Sequence, residues 1–277
     1  MPLSLSAHRG RWKTVLLYGG SFDPVHDGHT ALSLHVAAAL AADAVLYIPT
    51  GKQPLKNTHA ATPMDRLHML NIAVREAGEE AAAAAAAGGG RVSRENETPP
   101  ARASAPGTAP LGASATSAGP ELLVVDWEVL RGDGAPTFSA DTVAEIRAQL
   151  GDDVTLRWLI GEDNVPTLHR WSRIDDLMSM AEFVVVARPD DGDIKDEKAA
   201  GRDDADGRAA EIVERVVQRL PEGFTDVAAW RERVVVPPKL LDISSTDIRQ
   251  RLRTGASLDG LVHPRVVDYI REHNLYM

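Results

Sequence analysis

The amino-acid sequence predicts an α/β protein, a doubly wound parallel sheet with a C-terminal helical segment, on three observations. Short apolar runs of strand length, VLLY at 15–18 and FVVVA at 183–187 among them, alternate with stretches whose apolar residues recur at helical spacing. The first run breaks at Gly19-Gly20 and gives way to a helix pattern within one short segment, and strands alternating with helices are how parallel sheets are built. With 277 residues, 44% of them hydrophobic and 25% charged, the chain is long enough to bury a sizeable core and polar enough to be globular.

Residues 2–12 read as a loose leader. The stretch TVLLYGGSFDPVHDGHT at 14–30 is the most informative in the chain. Its strand ends at Gly19-Gly20, passes Asp23-Pro24 and reaches His26 and His29, after which Ala31, Leu32, Leu34, Val36, Ala37 and Leu40 recur at helical spacing. Glycines let the backbone approach a ligand closely, and the new helix offers unpaired N–H groups and the positive end of its dipole. Two imidazoles three positions apart share one helical face, so the segment reads as a phosphate cradle. Neither GxxxxGK[ST] nor GxGxxG occurs in it. A metal site made of Asp23, His26 and His29 is the weaker alternative, since no fourth ligand is apparent.

A second strand, 43–49, stops at Pro49. The loop 50–62 brings Lys52 and Lys56 to where parallel sheets keep their sites, past the strand's carboxyl end. Thr62-Pro63 opens a helix with Met64, Leu67, Leu70, Ile72 and Val74 inside. From 79 to 119 the chain turns to Ala, Gly, Ser, Thr and Pro, too little apolar surface to offset ordering entropy, and reads as a mostly disordered insertion whose alanines can extend the preceding helix. A strand at 122–126 comes after it. Then Ser139 stands as a candidate helix cap, with Asp141 near the positive end and Ile146 and Leu150 inside. A strand from 155 ends at Gly161, with Asp163 placed to take a ribose hydroxyl and Trp171 a ring able to stack on a flat base. A short helix at 174–178, a strand at 183–189, a charged loop at 190–207, a helix at 209–220 and a strand at 233–236 come next. Near the end, Ser244, Ser245 and Thr246 supply hydroxyls at a helix start, and Arg249 sits about one turn in. The chain closes with a helical tail, 261–276.

Composition excludes several classes of function. A formal net charge of −10 argues against a broad nucleic-acid surface, so an anionic ligand must be met by local positive groups. The absence of cysteine removes disulfides, thiolate metal sites and cysteine nucleophiles. No run of 18 apolar residues and no signal-peptide core occur, so the expected location is the cytoplasm, away from membranes.

The run GGSFDPVHDGH resembles the extended HxGH signature, GG(S/T)FDPxHxGH, of the nicotinate-nucleotide adenylyltransferase branch of the nucleotidyltransferase superfamily. Three further stretches resemble the family in its order: IPTGKQPLK with DRLHML, LIGEDN with Trp171 and the strand to Pro189, and ISSTDIR. PTFSADT resembles the family's PSYTxDT, with Phe138 and Ser139 in place of Tyr and Thr, and Leu55 stands where most members have histidine. The resemblance implies a Rossmann-like nucleotidyltransferase fold, in which residues 1–13 precede one domain at 14–277 interrupted by the 79–119 insertion. It implies adenylyl transfer from ATP, with Mg²⁺, to nicotinate mononucleotide. The roles it suggests are His26, His29 and Arg249 in catalysis, and Gly20, Ser21, Phe22, Gly28, Gly161, Asp163, Ser245 and Thr246 around ATP. Asp23, Lys52, Lys56, Phe138, Ser139 and Trp171 would face the acceptor, and no residue is assigned to a protein-held metal. Nicotinamide mononucleotide or phosphopantetheine as acceptor, and a non-catalytic nucleotide-binding protein of the same fold, are the alternatives. Assembly as a homo-oligomer is left open.

Overall fold

Six strands pair in the order β3-β2-β1-β4-β5-β6, every pairing parallel. They are β1 (Thr14–Gly20), β2 (Ala44–Pro49), β3 (Glu121–Val124), β4 (Thr155–Gly161), β5 (Glu182–Val186) and β6 (Val234–Val235). The computed structural model describes residues 2–51, 60–88, 119–131, 136–187, 202–236 and 243–277. Between the strands run α1 (Asp27–Ala39), α2 (Pro63–Gly88), α3 (Trp127–Leu130), α4 (Ser139–Leu150), α5 (Ile174–Met180), α6 (Arg202–Val217) and α7 (Val227–Glu232), and α8 (Ser245–Thr254) and α9 (Pro264–Glu272) end the chain.

The order comes from side-chain alternation. Successive strand residues face opposite sides, so a strand buried on both faces must be apolar throughout. In β1, Val15 and Leu17 enter one core with Leu46, Trp158, Ile160, Phe183 and Val185. Leu16 enters the other, with Val45, Tyr47, Leu159 and Val184. The first core is covered by residues of α4, α5, α6 and α7, such as Ile146, Leu177, Ile212 and Trp230, and the second by residues of α1, α2, α8 and α9, such as Val36, Leu70, Ile248 and Ile270. The chain winds outward from β1 to β2 and β3, then returns to lay β4 on the other side of β1. The strand order therefore reverses between β1 and β4, and there the carboxyl ends diverge into a crevice.

Several expectations need correction. Residues 2–12 are not a loose leader: Leu5 and Trp12 are buried in the first core, and a 3-10 turn spans Ser6–His8. The Leu3 amide donates to Asp126 Oδ1 at 3.0 Å and the Leu5 amide to Gln149 Oε1 at 2.7 Å, while Trp127 Nε1 returns a bond to the Leu3 carbonyl at 2.7 Å. Sequence reasoning missed this because two apolar residues so far apart in a short stretch show no period. Ser139 is not the cap of α4. That position belongs to Phe138, whose side chain caps nothing, and Ser139 is the first helical residue. The alanine run does extend the preceding helix, as its propensity allowed: α2 runs to Gly88. The rest of that segment, 89–118, lies outside the described residues. Helix α6 starts at Arg202, inside the stretch read as a charged loop, whose residues 190–201 also lie outside them.

Candidate active site

A cavity of about 640 Å³ opens where β1 and β4 diverge, within the range of about 300–1,000 Å³ usual for small-molecule sites. One wall is the end of β1 with Gly19, Gly20, Phe22 and His29, and a second is Gly161 and Asp163 beyond β4. Glu128, Phe138 and Ser139 form a third, and Arg170 and Trp171 a fourth.

The β1–α1 turn sets the imidazoles. Phe22 takes a positive φ of 47°, the peptide between Asp23 and Pro24 is cis, and His26 becomes the extended N-cap of α1. Gly28 and His29 are then the second and third helical residues. The His26 amide donates to His29 Nδ1 at 3.2 Å, and the two rings stack with centroids 3.7 Å apart. An Nδ1 that accepts an N–H bond carries no proton of its own, so the ring proton of neutral His29 sits on Nε2. Phe22 meets the His29 ring edge-on at 5.0 Å. His29 is half-buried and lines the cavity, whereas His26 is buried behind it and does not.

Asp23 is placed differently from the substrate contact expected of it. It is buried, does not line the cavity, and its carboxylate accepts from the amides of Ala60 (2.7 Å) and Ala61 (3.1 Å) and the hydroxyl of Tyr276 (2.7 Å). The same residue's carbonyl accepts from Arg249 Nη1 at 2.6 Å, and the Pro24 carbonyl from Ser245 Oγ at 2.9 Å. Arg249 Nη2 also reaches Thr246 Oγ1 at 3.0 Å. Ser244 caps α8 by accepting from the Asp247 amide. The two helix starts, α1 and α8, thus meet on one loop, with the hydroxyls and guanidinium of ISSTDIR packed directly before His26.

Sequence reasoning missed Arg66, which is fully buried. Its guanidinium donates to the carbonyls of Ser21 (2.6 Å), Thr50 (2.7 Å) and Gly51 (3.1 Å), tying the loops after β1 and β2 together. Burial holds its pKa below the usual arginine value, and the negative charge of Asp23 opposes that shift. A signal was present: Arg66, Met69, Leu70 and Ala73 share one helical face and all four are buried, so a lone cation stands on an apolar stripe. Tyr276 was missed as well. It is buried, and desolvation first, then its bond to Asp23, raise its pKa far above the usual phenol value. Nothing near it in sequence points to Asp23.

On the third wall, Glu128 is a buried carboxylate accepting from Thr137 Oγ1 at 2.5 Å and Thr142 Oγ1 at 2.6 Å. It fixes the turn that presents Phe138 and Ser139. Gly51 packs against the same segment: a Cβ there would lie 2.3 Å from the Glu128 carbonyl. On the second wall, a Cβ on Gly161 would lie 2.4 Å from Asp163 Oδ1, so the absence of a side chain is what lets that carboxylate fold back over the strand end. Trp171 packs edge-on against Phe183 with ring centroids 6.1 Å apart. Lys52, Lys56 and Leu55 lie outside the described residues. Among the described residues no group of three or more His, Cys, Asp or Glu could hold a metal ion, so Asp23, His26 and His29 do not form one.

The strand order puts the crevice where doubly wound sheets bind their ligands, and His29 lines it. A model of the cytidylyltransferase-like family matches residues 17–251. A protein of Laribacter hongkongensis, named a probable nicotinate-nucleotide adenylyltransferase, is 33% identical over 263 residues, covering 94% of this chain and 93% of its own. The chain belongs to this family of nucleotidyltransferases. Family members with the same name from Marinobacter nauticus (30% identity, covering 94% and 95% of the two chains) and Dehalococcoides mccartyi (26%, covering 95% and 97%) match over the same extent. The family fold is also found in the solved structure of the Plasmodium falciparum nicotinic acid mononucleotide adenylyltransferase complexed with NaAD, at a TM-score of 0.56 and 16% identity, covering 95% of this chain and 97% of that one. Among the described residues no helix is long and apolar enough to cross a membrane.

Proposed function

We infer that this protein transfers the adenylyl group of ATP to nicotinate mononucleotide, giving nicotinate adenine dinucleotide and pyrophosphate, a step of NAD synthesis carried out in the cytoplasm. The observation that carries the reading is His29, held in one tautomer at the start of α1, inside a nucleotide-sized cavity at the reversal of strand order. Relatives that bear this activity in their names match nearly the whole chain.

The chemistry asks for positioning and charge neutralisation. An oxygen of the mononucleotide's phosphate attacks the α-phosphorus of ATP, a P–O bond forms, the bond to the bridging α–β oxygen breaks, and pyrophosphate leaves. The nucleophile is already an anion, so no general base is required. His29, with its proton on Nε2, donates to an α-phosphate oxygen as charge builds there, and the positive end of the α1 dipole adds to it. His26 stacks on it and fixes its plane. Ser245, Thr246 and Arg249 take the leaving phosphates, and Gly20, Ser21, Phe22 and Gly28 shape the turn that receives ATP. Asp163 beside Gly161 takes the adenosine ribose. Phe138, Ser139 and Trp171 enclose the acceptor ring, with Lys52 and Lys56 for its phosphate. Asp23 acts from behind by holding the loop ends. Mg²⁺ arriving with ATP would supply neutralisation of the leaving group's charge, and no residue of this chain is assigned to hold it.

The test is pyrophosphate release from ATP and Mg²⁺ with nicotinate mononucleotide, nicotinamide mononucleotide and phosphopantetheine offered separately. The expected outcome is highest kcat/KM with the first. Silence with all three would overturn the reading.

A further inference from the structure

Arg170 is the one Lys or Arg side chain among the described residues that line the cavity, and it is exposed there. It closes the 3-10 segment Glu162–Arg170 and immediately precedes Trp171, which lines the same wall. Among the described residues it has no hydrogen-bond or ion-pair partner. Its neighbour in the same turn, Arg173, is by contrast bound to Asp141. Among the described residues the other charged groups on the cavity wall, Glu128 and Asp163, are carboxylates, and Arg170 supplies the guanidinium on the fourth wall.

We propose that Arg170 binds the carboxylate on the acceptor's pyridine ring and thereby sets the preference for an acidic over an amide ring substituent. The assignment rests on the function inferred above. Position selects the ring carboxylate over the acceptor's phosphate. The phosphate must reach the α-phosphorus beside His29, at the β1 end. Arg170 lies at the far end of a nine-residue segment from Gly161, on the order of 15 Å along its axis at roughly 2 Å of rise per residue. The part of the acceptor remote from the reacting atoms is its ring, and the ring's stacking partner is the next residue, Trp171. A guanidinium presents paired N–H groups that match both oxygens of a charged carboxylate, whereas a carboxamide offers one accepting oxygen and an NH₂ that only donates. Exposure in the free protein weakens nothing that matters here, because a ring seated over Trp171 excludes water from one side of the contact.

The experiment measures kcat/KM for nicotinate and nicotinamide mononucleotides with the wild-type protein and the variants Arg170→Gln, Arg170→Glu and Arg170→Lys. Where the amide acceptor turns over too slowly, its inhibition constant against the acid replaces its KM. The expected result is a fall of about tenfold or more in the acid-to-amide ratio for Arg170→Gln, because a site built to bond a charged group discriminates strongly when that bond is removed. The fall should be larger for Arg170→Glu, smaller for Arg170→Lys, and carried by KM for the acid. A ratio within about twofold of wild type in both the Gln and Glu variants overturns the proposal, as does an equal loss with both acceptors, since neither fits a contact to the ring carboxylate. Wild-type protein that releases no pyrophosphate with nicotinate mononucleotide would instead remove the functional reading beneath it, so the two failures are distinct.

Discussion

His29 combines two roles in one ring. Its Nδ1 closes the first turn of α1 by accepting the His26 amide, and the same ring lines the cavity, where the proposed function has it donate to ATP. His29→Ala should therefore lower turnover on the order of a hundredfold or more, the usual consequence of losing a preorganised donor. The fold should survive, because the side chain is only half-buried, and a melting curve checks that separately. A variant with normal turnover would remove His29 from the mechanism. Tyr47 makes a different point about single residues. It is fully buried on β2, bonded to Ser33 Oγ at 2.6 Å, and burial pushes its pKa up to about 12 against the opposing effect of that bond. The folded state thus keeps the phenol proton after the unfolded chain has released it near about pH 10. Stability should fall between those two values by about 1.4 kcal/mol per pH unit for this group. Tyr47→Phe should flatten the alkaline limb of a stability-versus-pH curve; an unchanged slope would assign that limb to other groups. His29 was legible in the sequence because its spacing from His26 and the glycines forms a local pattern. Tyr47 reads only as one more residue of an apolar strand.

At the scale of elements, three buried contacts bind separate segments into one site. Arg66 on α2 clamps the loops after β1 and β2, Asp23 holds the chain entering α2, and Tyr276, beyond α9, completes the carboxylate's bonds. Replacing Arg66 by Met keeps the volume but leaves the half-buried carbonyls of Ser21 and Thr50 and the buried carbonyl of Gly51 without that donor. The expected cost is about 3 kcal/mol or more by chemical denaturation, since each lost charge-assisted bond counts roughly 1.5–3 kcal/mol. A loss below about 1 kcal/mol would mean that water or another donor replaces it. Tyr276→Phe removes one hydroxyl from Asp23. It should cost about 1–3 kcal/mol and speed hydrogen exchange at the Ala60 and Ala61 amides, which share that carboxylate. Exchange rates that stay fixed there would separate the tail from the loop. The helices of this cluster were legible from their periods. Their mutual contacts were not, because Asp23 and Tyr276 are 253 residues apart and no local rule links them.

Across the whole molecule, the amino-terminal stretch belongs to the core, not to a tail. Leu5 and Trp12 lie among Ile146, Leu150 and Val154 on the face covered by α4. Removing residues 2–12 should lower stability by several kcal/mol, as burial of a leucine alone is worth about 1.5–3 kcal/mol. A truncated protein melting with the full chain would show those contacts to be idle. The site itself depends on both halves of the sheet, since His29 and Asp163 come from opposite sides of the β1–β4 crevice. A dinucleotide spanning it should raise the melting temperature with concentration, by about 2.7 kcal/mol of stability at a hundred times Kd.

By itself, the sequence determined the alternation of strand and helix, the glycine turn with its two histidines, the strand-end Gly161 with Asp163, and the hydroxyl-rich start of α8. Each of these is a local pattern, fixed by spacing within one turn or one strand. Tertiary structure decided which strands are neighbours, that the leader folds onto the core, that Phe138 and not Ser139 stands at the N-cap position of α4, and that Asp23 serves the chain's own amides. It also set Arg66 beneath the loops, and Glu128 and Arg170 on the cavity wall. Those outcomes depend on burial and on partners distant in sequence, and the chemistry of a buried or cavity-facing charge is set by what surrounds it once the chain has folded.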